Sequence, residues 1–107
     1  LTPWEVIETR LACAARGDFA LALYNPSSKG RPDYLQKAVR ILRANGKTPE
    51  TVCGIVRNIG REGQEKRVLT LAELEKTQVD MFTTVFIGNA ATRELAGRMV
   101  TPRGYKR

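Results

Sequence analysis

The spacing of apolar residues along this chain alternates between helical and extended periods, and each switch predicts an element. Trp4, Ile7, Leu11 and Ala14 recur at helical spacing, with Thr2 placed as the cap, Pro3 at the first helical position and Glu5 completing a capping box. Gly17 supplies the stop, so the opening segment predicts an amphipathic helix of roughly fourteen residues. Phe19 to Tyr24 (FALALY) is an unbroken apolar run, the pattern of a strand covered on both faces as in a parallel sheet. The polar stretch YNPSSKGRPDY then intervenes, and Pro32 is placed to open a second helix. Leu35, Ala38, Val39 and Leu42 form its inner stripe, Gln36, Lys37, Arg40 and Arg43 its outer face, and Asn45-Gly46 its end.

Thr51 to Arg57 (TVCGIVR) predicts a second buried strand. The glycine-bearing turn NIGREGQE follows, with a third strand over Arg67 to Leu69. Thr70-Leu71-Ala72-Glu73 is a capping box that starts a short helix reaching to about Thr77. Thr83 to Ile87 (TTVFI) is a fourth buried strand, and Arg93 to Met99 fits either a helical turn or an edge hairpin around Gly97. This order predicts an α/β fold, a single mixed, mostly parallel sheet flanked by helices, with residues 1–107 forming one domain. Ligands of such sheets sit beyond the carboxyl ends of the strands, where YNPSSKGR, RNIGREG and GNAATR are expected to converge.

Composition narrows the chemistry. With 42% hydrophobic and 27% charged residues the chain reads as globular. No apolar run is long enough to cross a bilayer, so no membrane partner is expected. The absence of histidine removes Ser-His-Asp and Cys-His catalysis and the usual zinc modules from these residues, and no metal is expected. Cys13 and Cys53 form no CxxC arrangement and read as small buried hydrophobes, at home in a reducing cytoplasm. A net charge of +7 points to an anionic partner, with Lys29 and Arg31, in a loop stiffened by prolines, as the better-placed cations.

Paired carboxylates are missing: Glu62 and Glu65 flank a turn, while Glu73 and Glu75 belong to a surface helix. The GREG of residues 60–63 has the form of the GXXG loop of KH domains, which makes a basic RNA-binding module the alternative reading. A KH loop joins two helices, however, and the flanks here suit a strand-to-strand turn.

Taken together, LTPWEVIETRL, YNPSSKGRP, VRNIGREG, VDMFTT, IGNAAT and MVTPRGY occur in one order from end to end. The chain they mark out resembles the carboxyl-terminal domain of the tetrapyrrole methylases, most closely the ring-contracting precorrin-3B C17-methyltransferases of cobalamin synthesis. That resemblance implies the second half of a two-domain enzyme, its amino-terminal domain absent, with S-adenosylmethionine bound in the cleft between domains. It implies cofactor contacts at Tyr24, Asn25, Pro26, Arg57, Asn58, Met81, Phe82, Thr83 and Thr84. Lys29, Arg31 and Arg103 are the candidates to meet the carboxylates of a precorrin-type substrate. A homodimer is expected of the full-length enzyme, and no residue is assigned a catalytic role. The chain departs from the family pattern at Ala90, where serine is frequent, and at Gln64, where glutamate is.

Overall fold

The computed structural model describes residues 3–24, 33–58, 62–79, 82–95 and 98–101. Its elements are α1 (Trp4–Arg16), β1 (Leu21–Tyr24), α2 (Tyr34–Ala44), β2 (Val52–Arg57), β3 (Glu65–Thr70), α3 (Leu71–Glu75), β4 (Thr83–Ile87), β5 (Arg93–Leu95) and β6 (Arg98–Val100). A four-stranded sheet takes the order β1-β4-β2-β3, and β5 and β6 form a separate hairpin.

Every adjacent pair in the four-stranded sheet is antiparallel, which corrects the expectation of a mostly parallel one. The link from β2 to β3 is too short for a parallel crossover, which takes a dozen residues or more. Strand β4 then inserts between β1 and β2, running against both. TTVFI is apolar because β4 is central and covered, and burial of that kind does not reveal strand direction. FALALY is shorter as a strand than its pattern suggested: β1 begins at Leu21, lies at the sheet edge, and leaves Phe19 and Tyr24 exposed.

The pleat sorts side chains onto two unlike faces. Leu23, Cys53, Leu69, Val85 and Ile87 share the inner face and pack with Leu11 and Ala15 of α1, the stripe of α2, and Leu71 and Leu74 of α3. That stripe is Leu35, Ala38, Val39 and Leu42, as the sequence predicts. Burying leucines such as Leu35, Leu42, Leu71 and Leu74 contributes about 1.5–3 kcal/mol each. Among the described residues the helices therefore gather on one face rather than flanking the sheet on both. The outer face, with Ala22, Val56, Val68 and Phe86, borders an open groove of about 850 Å³. Met99 of the hairpin walls it, its Sδ 3.3 Å from where a Cβ on Gly54 would stand, so the hairpin packs closely over that glycine.

Local signals fare unevenly. Thr70 caps α3 as predicted, its Oγ1 accepting from the Glu73 N–H at 3.2 Å while the Thr70 N–H donates to Glu73 Oε1 at 2.8 Å. These bonds hold the Glu73 carboxyl below its usual range. Helix α3 stops at Glu75, short of Thr77, and Glu75 takes ion pairs from Arg43 and Arg40 of α2. At α1, Pro3 sits at the cap rather than inside the helix, with no side-chain capping bond; Thr2 lies outside the described residues. Ala15, not Ala14, is the buried alanine of α1. Trp4 packs edge-on against Tyr34 at 5.6 Å, joining the starts of α1 and α2. Cys13 is exposed, a correction to its expected burial, whereas Cys53 is fully buried; both are free thiols. The segment after Asn89 resolves as the β5–β6 hairpin. Among the described residues no helix is long and apolar enough to cross a membrane.

Candidate functional site

Because β1 and β2 run opposite to β4, the carboxyl ends of the first two strands meet the amino end of the third. Tyr24 pairs with Thr84, Thr84 also faces Val56, and Arg57 pairs with Thr83. Just beyond the ladder, the Asn58 N–H donates to the Phe82 carbonyl at 3.0 Å. Asn58 adopts φ 56, a left-handed turn that asparagine tolerates better than most residues and that lets the chain leave the strand. The sheet thus brings Tyr24, Arg57, Asn58, Phe82, Thr83 and Thr84 to one end. Asn25, Pro26, Lys29, Arg31, Met81 and Arg103 lie outside the described residues.

This end is open. Tyr24 is 74% exposed and Phe82 50%, whereas Thr83 and Thr84 are buried in the strand. Tyr24 and Thr84 lie on the outer face, Arg57 and Thr83 on the inner one. Arg57 therefore reaches the strand end with its main chain and sends its guanidinium the other way, toward Glu65 of β3 at 3.8 Å.

The third polar segment does not join them. GNAATR leaves β4 at the opposite end of the sheet, which corrects the expected convergence of three loops, since an antiparallel β4 reverses its carboxyl end. There the chain is closed by hydrogen bonds. The Gly88 N–H donates to Val52 O at 2.9 Å, and Lys47 Nζ donates to Gly88 O at 2.7 Å. The Ala90 N–H donates to Asp18 Oδ1 at 2.9 Å, so this position works through its main chain and not through a hydroxyl. The Asn89 N–H donates to Thr92 Oγ1, which in turn shares a 2.6 Å bond with Thr101 Oγ1. Burial lowers the Lys47 pKa, against the pull of Asp18, and pushes the Cys53 thiol up to about 12. No buried side-chain polar atom among the described residues lacks a partner. Lys47 and Asp18 carry no sequence signal for this role, because a lone charge between a helix end and a strand looks solvated.

The GREG segment joins β2 to β3 as a strand-to-strand connection, and a KH arrangement is excluded by that topology.

Comparison with known proteins supplies an independent line. No family model matches the chain. It is 43% identical over 105 residues to the probable cobalt-factor III C(17)-methyltransferase of Salmonella typhimurium, covering 98% of this chain and 43% of that protein. It is 42% identical over 111 residues to the precorrin-3B C(17)-methyltransferase of a Sinorhizobium species, again with 98% and 43% coverage. The crystal structure of the methyltransferase CobJ superposes with a TM-score of 0.82 at 39% identity, over 94% of this chain and 42% of that one. The chain thus spans less than half the length of these relatives. Over nearly all of its length the chain is thus similar in sequence to C17-methyltransferases and in fold to the methyltransferase CobJ.

Proposed function

We propose that this chain is the carboxyl-terminal domain of a longer, two-domain, S-adenosylmethionine-dependent enzyme that methylates C17 of a precorrin-3B or cobalt-factor III macrocycle with ring contraction. The observation that carries this reading is the meeting of Tyr24, Arg57, Asn58 and Phe82–Thr84 at one open end of the sheet, in a chain 40–43% identical to proteins named cobalt-factor III or precorrin-3B C(17)-methyltransferase.

The residues present fit one side of such a cofactor site. Exposed Tyr24 and Phe82 offer ring faces to an adenine. Asn58 carries an amide donor and acceptor, and main-chain groups of Arg57 lie at the strand end. Asn25, Pro26 and Met81, neighbours of these residues in sequence, are proposed with them. Bound S-adenosylmethionine would supply an electrophilic methyl group, and alignment of that methyl with a carbon nucleophile is the domain's contribution. Lys29, Arg31 and Arg103 are proposed to meet the substrate's carboxylates, which gives the +7 charge a role. A homodimer in a reducing cytoplasm is the proposed setting.

The test is to extend the chain to the length of its relatives and assay methyl transfer to precorrin-3B and to cobalt-factor III. Transfer by the longer protein, with little or none by these 107 residues, is the expected result. Comparable transfer by the short chain, or none by the long one, would overturn the reading.

A further inference from the structure

Beside Arg57 the inner face of the sheet is not filled by helices. A cleft of about 480 Å³ lies between β2, β3 and the segment that follows α3, bordered by Ile55, Arg57, Arg67, Thr77, Val79 and Thr83 among others. Ile55 shows the gap in the packing: its inner-face neighbours Cys53 and Val85 are fully buried, but Ile55 is only half-buried. Val79, also half-buried, supplies a second apolar surface.

The cleft is cationic as well as apolar. Arg67 pairs with Ile55 in the β2–β3 ladder and Arg57 pairs with Glu65, so the two arginines are diagonal neighbours on one face. Glu65 is the acid bordering the cleft, and its contact with Arg57 is long, 3.8 Å, with the two side chains 43% and 72% exposed. Exposed pairs of that geometry are weak, so Glu65 yields readily to a better-placed carboxylate. Apolar surface below and guanidinium groups at the rim suit a carboxylate on a short methylene stem. An amino-acid terminus carries an ammonium beside its carboxylate, which two arginines disfavour, and a plain acid arm does not.

Building on the function proposed above, we infer that this cleft holds one carboxylate-bearing side arm of the tetrapyrrole, with its methylenes over Ile55 and Val79 and its carboxylate held by Arg67 together with Arg57. Arg67 becomes a specificity residue outside the strand-end cofactor contacts. It recognises the acid arm and does not touch the methyl group.

The experiment is Arg67→Gln in the full-length enzyme, with Arg67→Lys as the charge-retaining control. Substrate KM, kcat and, separately, S-adenosylmethionine affinity by calorimetry are measured. A lost charge-assisted hydrogen bond predicts a KM increase of about 10- to 100-fold, much larger than any fall in kcat, with cofactor affinity unchanged. Arg67→Lys should recover part of the loss, and the penalty should vanish for a substrate whose side arms are amidated. An unchanged KM overturns the inference, and so does lost cofactor affinity at constant KM, which would place the cofactor's carboxylate in the cleft. Wild-type enzyme that transfers no methyl at all overturns the proposed function itself, and this inference with it.

Discussion

The two ends of the four-stranded sheet use the same two central strands and treat their polar groups in opposite ways. At the end where β4 exits, Lys47, Asp18 and Thr92 tie down Gly88, Ala90 and Asn89, and burial shifts the titration of Lys47 and Cys53. At the end where β4 enters, Tyr24 and Phe82 stand exposed and Arg57 holds Glu65 loosely. Perturbed titration often marks a functional site, but here it belongs to the closed end, where every side-chain bond is internal. The end where the cofactor contacts are proposed carries exposed aromatic surface in its place. Burial and satisfied hydrogen bonds locate the structural clamp; exposed rings mark the end proposed above as the site.

The largest expected effect compares one substitution at the two ends. A Cβ on Gly88 would stand 2.5 Å from both Cβ and Oγ1 of Thr92, so Gly88→Ala should cost about 1–3 kcal/mol in urea unfolding. Gly63, in the β2–β3 connection, has nothing within 4 Å of such a Cβ and pays only for its φ of 82, about 1 kcal/mol. Equal losses at both positions would erase the contrast between a packed end and an open one.

An alkaline titration sharpens the same contrast. Burial pushes the folded Cys53 thiol up to about 12 from an ordinary value of 9.0, so above pH 9 the unfolded chain loses a proton that the native state keeps. Stability contributed by the neutral thiol is then lost as pH rises toward 12, by about 1 kcal/mol at pH 10. A Cys53→Ala variant should show a flatter decline between about pH 9 and about pH 12, the window set by that shift; a parallel decline in both proteins would contradict the burial of this group. The lowered Lys47, which also feels the Cys53 thiolate, acts in the opposite sense as pH rises.

The smallest stability effect is expected at the open end. Tyr24→Ala at a 74% exposed edge position should change unfolding free energy by less than about 0.5 kcal/mol. In the full-length enzyme it should nevertheless weaken S-adenosylmethionine binding, by roughly tenfold for a lost stacking ring. A variant that loses stability and retains affinity would make Tyr24 a structural residue.

Much of this was legible in the chain itself. The α2 stripe appears on the buried face, the Thr70–Glu73 capping box forms, and TTVFI is the central strand β4. These are local signals, set by period and by contacts within a few residues. The motif order also pointed to the family, and through it to Tyr24, Arg57, Asn58 and Phe82–Thr84, which the structure gathers at one end. Cys13, read as buried, is exposed because the inward face of α1 passes through Leu11 and Ala15 instead. Arg67 gave no signal within RVL, since its meaning depends on Arg57 ten residues earlier in chain order and adjacent only across the ladder.

The sequence by itself determined where helices and strands form, which residues are apolar enough to build the core, and which family motifs the chain carries. Tertiary structure alone decided strand direction, the one-sided placement of the helices, and which loops share an end. The physical reason is that an apolar run reports burial and not the identity or direction of its neighbour. Hydrogen bonding between distant strands makes that choice: it sent GNAATR to the closed end and brought Phe82 to Asn58 at the open one.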